Sequence, residues 1–290
     1  KYCVEGFPEE IPPPQQPYYI LNQIQTGDFF QAGMIATSVI KNNLDSKELE
    51  FLLFCCNFWN REFRNAQTFS TPYEQGMAIF SKWKTFLENN QVKANGTPQF
   101  IYAVQQGVFK NNLKVFADQY NSKDNTQRSI ALQNMGLCYK KLGEFAEAKR
   151  CLGEANSLVH KSVPVMAYLA DCYALCGDER SAKVLFREAF FSGPQEINLD
   201  FLDSELILCL INKIAKTKGY SGKYLQEWIP VYGQLWGVFN YKRTLSPHEA
   251  GKLRTSIYSA ENELNDPTSD KGLLYPRLIN MYFWLIDHLD

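Results

Sequence analysis

The chain has 290 residues, of which 45% are apolar and 21% are charged, a composition that favours a folded protein over a disordered one. Lys and Arg number 30 against 31 Asp and Glu, so the formal net charge is -1. This balance argues against nucleic acid and anionic membranes as partners, because both require a cationic excess. No run of eighteen apolar residues predicts a membrane span.

Residues 1–17 are the first segment in chain order, and they contain five prolines. Because proline fixes φ and lacks a backbone N–H, we expect an extended tether here. The first residue is Lys1 rather than Met, so any signal or anchor is expected upstream of this fragment.

Residues 18–127 follow as a series of degenerate helical hairpins, since apolar residues recur every three or four positions without the alternation of strands. Thr71 with Glu74 predicts a capped helix start, as Ser246 with Glu249 does later in the chain. Asp45 predicts a weaker start, and Thr97 begins another helix. The expected helices cover residues 51–63, 72–88 and 98–121, and the chain is predicted to be all-α.

Residues 128–194 contain an internal repeat with an offset of 34 residues. The two copies align small and aromatic residues at matching positions, and Leu152 and His160 of the first copy match Phe186 and Pro194 of the second. The positions that define the repeat are Gly136, Tyr139, Gly143, Ala148, Ala155, Ala170, Tyr173, Gly177, Ala182, Phe186, Ala189 and Pro194.

The two copies, NMGLCYKKLGEFAEAKRCLGEA and YLADCYALCGDERSAKVLFREA, resemble the tetratricopeptide-repeat family in their order of small and aromatic residues and in their period. The resemblance implies an α-solenoid of stacked helical hairpins. Independently of the family, small residues such as Ala182 let two helices approach closely. Gly143 and Gly177 are expected to end the first helix of each hairpin with positive φ.

Residues 195–290 are predicted to hold degenerate repeats and capping helices. A hairpin over 204–240 turns at Gly219 and is expected to be interrupted by Pro230 and Gly237. The last helix is expected from Tyr275 to Leu289, with a wide apolar stripe that must dock on something. Residues 228–253, WIPVYGQLWGVFNYKRTLSPHEAGKL, resemble tetratricopeptide proteins of bacterial cell envelopes, including those of spirochaetes, and this resemblance implies a cell-envelope or periplasmic location, with the cytoplasm left open.

The family resemblance also implies a concave groove for a partner helix or extended peptide. The matching positions are Ile130, Gln133, Leu137, Lys140, Lys141, Ala167, Asp171, Ala174 and Leu175. Members that clamp a C-terminal carboxylate place Asn where this chain has Leu137 and Asp171, and Asp171 would repel a carboxylate. An ordinary solvated helix face is the alternative interpretation of the charged positions.

Catalytic and metal sites are not predicted. None of the phosphate-binding, dinucleotide, nucleophile-elbow or zinc-protease motifs occurs, and the histidines are only His160, His248 and His288. The eight cysteines lie mostly in apolar helical runs, so we expect buried thiols rather than disulfides. Cys172 and Cys176 lack further ligands for zinc. No cofactor or metal is expected.

The sequence therefore predicts a non-catalytic scaffold that binds another protein during assembly of a larger complex. The alternative is an all-α structural or oligomerisation domain whose groove is filled by its own termini, and homo-oligomers are compatible with both. An enzyme whose centre is assembled from unrecognised residues is the least favoured interpretation.

Overall fold

The computed structural model describes residues 16–42, 46–159 and 162–289. Within these ranges the regular structure consists of α-helices and two short 3-10 helices, and neighbouring helices pack as hairpins, so the predicted all-α class is confirmed. The chain divides into two compact units, residues 1–144 and 145–290, and the division falls inside the predicted repeat segment. Three features of the sequence prediction fall outside the described residues. They are most of the tether, Asp45 of the predicted cap, and His160.

Unit 1 contains seven helices in its described residues. They are α1 (Gln16–Thr26), α2 (Phe29–Asn42), α3 (Lys47–Ala66), α4 (Pro72–Glu88), α5 (Asn90–Asn95), α6 (Pro98–Tyr120) and α7 (Asn125–Leu142). Their starts follow the sequence signals: Thr71 and Glu74 form the predicted capping box, and Thr97 accepts a hydrogen bond from the Phe100 N–H. The helix expected near Asp45 is capped by Ser46 instead.

Helix α6 is the centre of unit 1, where it packs against α1, α4 and α7. A run of polar side chains on α6 binds the ends of two of these neighbours. Gln105 and Gln106 donate to the carbonyls of Lys141 and Leu142 at the end of α7, and Asn111 donates to the Gly27 carbonyl after α1. These amides satisfy carbonyl groups that have no partner inside their own helices, which fixes where α1 and α7 end against α6.

The core of unit 1 is aromatic. Trp59 of α3 is fully buried and lies 6.0 Å from the Trp83 ring and 5.4 Å from the Phe86 ring of α4, measured between ring centroids. Phe109 of α6 meets Trp83 edge to face, and Phe29 of α2 lies against Trp59. Such pairs add attraction to the burial of apolar surface, so they hold α2, α3, α4 and α6 in one cluster.

Unit 2 contains a further seven α-helices and both 3-10 helices in its described residues. The α-helices are α8 (Phe145–Leu158), α9 (Val163–Leu175), α10 (Glu179–Ser192), α11 (Glu205–Lys218), α12 (Gly222–Leu235), α13 (Pro247–Glu263) and α14 (Lys271–Leu289). The 3-10 helices, Pro194–Glu196 and Leu199–Phe201, connect α10 to α11. Consecutive helices pack in pairs, and α12 also packs against α10 and α14.

The two repeat copies share their turn geometry. Gly143 and Gly177 have φ of 79° and 83°, as the sequence predicts. The N–H groups of Glu144 and Asp178 donate to the carbonyls of Tyr139 and Tyr173, and the N–H groups of the two glycines donate to the residues that follow these tyrosines. The same pair of capping hydrogen bonds therefore recurs at the offset found in the sequence.

The small repeat positions are buried as their packing role requires. The repeat alanines and Phe186 have no exposed surface, and Gly136 is buried as well. Tyr139 and Tyr173 are half-buried, and Pro194 begins a 3-10 helix. Cys138 and Cys172 are buried thiols, and burial raises the pKa of Cys138.

Two helix boundaries in unit 2 differ from the sequence-based expectation. Pro230 does not interrupt its hairpin but lies buried inside α12. Helix α12 packs against α10 and α14, and this packing outweighs one lost backbone hydrogen bond. Helix α14 begins at Lys271, one turn before the predicted Tyr275, and passes through Pro276. The predicted turn at Gly219 is confirmed, with φ of 73°.

Candidate binding site

The residues predicted to line a groove do not form one exposed surface. Leu137, Lys140, Ala167 and Asp171 are buried. Gln133, Lys141, Ala174 and Leu175 are half-buried, and Ile130 is exposed. Since a buried side chain cannot contact a partner without local opening, four of the nine positions are corrected from contact residues to packing residues.

Asp171 has a structural role that its sequence position does not reveal. Its two carboxylate oxygens accept hydrogen bonds of 2.9 Å from the backbone N–H groups of Asp203 and Ser204, which lie directly before α11. Ser204 is the N-cap residue of α11, and its own side chain does not cap the helix. Asp171 therefore caps α11 from α9, and a negative charge at a helix N-terminus is favourable.

Helix α14 carries a line of apolar and tyrosine side chains that is mostly exposed. We call it the α14 seam, and it consists of Tyr275, Ile279, Tyr282, Ile286 and Leu289. Ile286 is 51% exposed and Leu289 66% exposed. The five residues are spaced by four, three, four and three positions, so they form a single line along the helix.

The rest of the predicted apolar stripe on α14 is covered. Leu278 and Leu274 lie in a cluster with Leu253 and Ile257 of α13, and Leu285 packs against it. The sequence expectation that the stripe docks is thus met by α13 for one half of the stripe. The seam is the half that the described residues of unit 2 leave exposed.

The charged side chains of α14 beyond its first residue turn away from the seam. Arg277 donates to the buried Glu227 carboxylate, and Asp287 accepts from Arg187 of α10. His288 accepts the Leu245 N–H through Nδ1. The seam is therefore a line of apolar and tyrosine side chains without an ionised group among them.

The border of the seam carries two cations. Lys271 is four residues before Tyr275, on the same face of α14. Glu261 of α13 accepts a hydrogen bond from the Tyr282 hydroxyl, and Arg254 lies two turns earlier on the same face of α13. Within the described ranges neither Lys271 nor Arg254 forms an ion pair, and both side chains are exposed.

A cavity of about 530 Å³ lies on the opposite face of α14, inside unit 2. Its apolar walls include Phe191, Leu253, Met281 and Trp284, and the Phe191 and Trp284 rings are 4.3 Å apart between centroids. Asn280 also lines the cavity and is 8% exposed. The volume lies within the range of ordinary small-molecule sites.

The ionised groups around this cavity are arranged in two networks. Arg243 binds Glu188 at 2.8 Å and Glu249 at 2.6 Å, and Arg277 binds Glu227 at 2.6 Å. Glu227 is 1% exposed, and Gln195 also donates to it. The networks hold α10, α12, α13 and α14 in register around the cavity.

Glu249 gives stability in unit 2 a defined acid dependence. The Ser246 backbone N–H and hydroxyl donate to its carboxylate and Arg243 pairs with it, which lowers the pKa of Glu249 from its usual 4.5 to about 2. The unfolded chain therefore takes up this proton first as the pH falls. The contribution of Glu249 to stability is fully present above about pH 4.5 and is lost as the pH falls towards 2.

We accordingly expect Glu249→Gln to lower the urea midpoint at pH 7 and to flatten the loss of stability between pH 5 and pH 2. The expected change is roughly 1 kcal/mol, as for one partly exposed capping carboxylate. Urea denaturation at each pH measures both effects. Glu144→Gln changes an exposed carboxylate whose side chain forms no hydrogen bond or ion pair in the described ranges, and it serves as the control. Parallel acid profiles for wild type and Glu249→Gln would contradict the assignment.

The aromatic-rich segment after Gly219 is occupied by its own contacts. Tyr220 stacks on Trp228 with the rings 7° from parallel, and Tyr232 continues the ladder to Trp236. Lys213 places its ammonium 4.3 Å from the Trp236 ring centroid. Because the ring faces meet one another or a lysine, this ladder stabilises the α11–α12 hairpin.

Unit 1 has a smaller groove of about 420 Å³ between α2 and α3. Phe30 and Met34 are exposed in it, beside Arg61 and Arg64. Arg61 is paired with the buried Glu62 carboxylate. Its apolar part is only one helical turn long, which makes it a weaker candidate than the seam.

Neither a metal site nor a membrane-spanning helix is present among the described residues. The described residues contain no group of three or more His, Cys, Asp or Glu side chains placed to hold a metal ion. Among the same residues, no helix has the length and hydropathy needed to span a membrane. Cys172 is buried whereas Cys176 is exposed, and burial raises the pKa of Cys56 to about 12.

Comparison with protein-family models, with curated proteins and with solved structures gives no match. The tetratricopeptide resemblance thus remains a prediction from the repeat. The sequence did not reveal Asn280, Trp284 or the two arginine networks as a site. One signal was available, because Asn280 is a polar residue inside the otherwise apolar run from Leu278 to Ile286.

Proposed function

We propose that the chain is a non-catalytic protein-interaction scaffold that binds an α-helix of another protein along the α14 seam during assembly of a larger complex. The observation that carries the proposal is the line of five apolar and tyrosine side chains at coiled-coil spacing, of which four are exposed and Ile279 is half-buried. Exposed apolar surface of this kind on a folded unit marks a contact site. The tetratricopeptide resemblance supports the same class of function through a different helix.

The spacing and the border define the chemistry of the partner. A line of apolar residues with a period of 3.5 matches the apolar face of another helix, as in helix-in-groove recognition. Two charges on the border, Lys271 and Arg254, are positive and form no ion pair in the described ranges, whereas the Glu261 carboxylate there accepts the Tyr282 hydroxyl. The partner is therefore an amphipathic helix with acidic residues beside its apolar stripe, and a second copy of the chain would bring like charges together.

The test uses a synthetic amphipathic helix with Leu and Ile at heptad positions and Glu beside them, labelled for fluorescence anisotropy. Ile286→Lys is expected to weaken its binding at least about tenfold, since a charge would then have to be buried in the contact. Because Ile286 is half exposed, helical circular dichroism and melting should be nearly unchanged.

Met34→Lys is the matched control, because Met34 is also 51% exposed but lies in unit 1. This variant should bind the helix as the wild type does. Lys271→Glu with Arg254→Glu should slow association and reduce its dependence on salt. Failure of the wild type to bind, or equal loss in both lysine variants, would contradict the proposal. A concentration-dependent dimer that Ile286→Lys abolishes would favour the oligomerisation domain instead.

A further inference from the structure

We propose that the cavity of unit 2 binds an uncharged molecule that carries an amide group next to an apolar group. The cavity lies on the face of α14 opposite the seam, so the inference does not rest on the proposed function. It rests on two buried polar groups that lack partners, on the walls beside them and on the balance of charge around them.

Asn280 and Trp284 are the two polar groups. Asn280 is more than nine-tenths buried, and its side chain forms no hydrogen bond with any described residue. The indole Nε1 of Trp284 is completely buried and has no acceptor in the same part of the chain. In folded proteins such groups are nearly always paired, because an unpaired buried donor or acceptor costs stability.

The two groups lie together on one wall of the cavity. They are four residues apart on α14, which places them one above the other on the same face. The Asn280 amide, unlike the Trp284 Nε1, is not among the completely covered polar atoms, so it keeps surface that faces the cavity it lines. A ligand in the cavity can therefore reach Asn280.

An amide is the group that matches Asn280 best. The Asn side chain offers one carbonyl acceptor and an NH₂ donor side by side, and a second amide pairs with both at once. A carbonyl alone would leave the Asn280 acceptor unpaired, and a hydroxyl would satisfy only one group at a time. The Phe191, Met281 and Leu253 side chains beside it provide the contact for an apolar group on the same molecule.

The charges around the cavity favour a neutral ligand. Arg243 and Arg277 are already bound to carboxylates, so neither guanidinium is available without breaking an ion pair. The acidic residues in the wall outnumber the basic ones by one. Lys252 is the one basic lining residue without an ion pair in the described ranges, and Glu196 offsets it. An anion would gain no net attraction here.

The first measurement uses N-acetyl-L-phenylalanine amide, a neutral molecule with two amides and a phenyl ring. Titration should shift the indole N–H resonance of Trp284 in nitrogen-15 correlation spectra in a saturable way, with the resonance assigned from Trp284→Phe. If the Trp284 resonance does not shift when the probe is added up to its solubility limit, the proposal is overturned.

The second measurement tests the charge. N-acetyl-L-phenylalanine, which has a carboxylate in place of the terminal amide, should bind at least about tenfold more weakly, because burying an unpaired charge is costly. Lys252→Gln should leave the affinity for the neutral probe unchanged. Tighter binding of the carboxylate, abolished by Lys252→Gln, would show an anion site and overturn the proposal.

The third measurement separates a binding role of Asn280 from a structural one. Asn280→Leu replaces the amide with an apolar side chain of similar size, so the melting temperature should not fall while affinity for the neutral probe falls about tenfold. Asn262→Leu, at an exposed position of α13, is the control and should change neither. Unchanged affinity in Asn280→Leu would overturn the proposal whatever the melting temperature.

The same chemistry is found in free small molecules and in peptides. An acetylated and amidated tripeptide with phenylalanine in the middle distinguishes the two sources by its affinity relative to the single capped residue. Tighter binding of the tripeptide identifies a peptide segment as the ligand. Its exclusion, with the single residue still bound, identifies a free amide.

Discussion

Asp171→Ala is expected to lower the free energy of unfolding by about 2–5 kcal/mol, measured by urea denaturation. The substitution leaves the backbone N–H groups of Asp203 and Ser204 without the carboxylate that accepts from them, at a site where Asp171 itself has no exposed surface. Water cannot replace the lost acceptor there without opening the α9–α11 contact. The cost is therefore that of two orphaned donors.

Asp178→Ala is the matched control for this effect. Asp178 caps α10 by accepting from the Ser181 N–H, but it does so at an exposed position where water can take over. Its loss should therefore lower the free energy of unfolding clearly less than the loss of Asp171 does. Equal losses for Asp171→Ala and Asp178→Ala would show that Asp171 does not cap α11 in the way described.

Gly107→Ala should destabilise unit 1 by about 3 kcal/mol, because it adds a methyl group where two helices touch. A Cβ on Gly107 would lie 1.9 Å from the Ile24 carbonyl oxygen, which belongs to the backbone of α1 and cannot rotate aside. Helix α1 would have to move away from α6, and the Lys110 and Asn111 hydrogen bonds to the end of α1 would stretch.

Gly153→Ala provides the opposite result from the same chemical change. Gly153 lies inside α8, and a Cβ there would meet nothing within 4 Å. Alanine in a helix interior should raise the free energy of unfolding by about 0.5–1 kcal/mol. Thermal melting of the two variants measures both signs, and a neutral Gly107→Ala would mean that α1 does not approach α6 so closely.

The fold was largely predictable because its signals are local. Capping at Thr71 and Ser246, the turns at Gly143 and Gly177 and the buried repeat alanines all depend on residues within a few turns of each other. Packing of α6 against α1 was not predictable in this way. From the sequence alone, the polar side chains of α6 would be assigned to an exposed face, because the carbonyl groups that they bind belong to other helices.

The candidate site was predicted less well, and Asp171 shows why. A charged residue in a helical repeat is ordinarily solvated, and the sequence does not show that the loop before α11 returns to cover it. The exposure of the α14 seam could not be predicted either, since the sequence of the apolar stripe does not show that α13 covers only one half of it. Both outcomes depend on which helix packs on which face, and that is settled by contacts between distant residues.

Arg187 places a condition on the order in which unit 2 can assemble. It is buried in α10, and its guanidinium donates to the Tyr241 carbonyl and to Asp287. Asp287 lies a hundred residues further along the chain. During synthesis on the ribosome, α8 to α10 can therefore form from nearby contacts, but Arg187 must stay hydrated until α14 has emerged. Until α14 is available, Arg187 lacks its carboxylate partner and the cavity lacks the wall that α14 supplies.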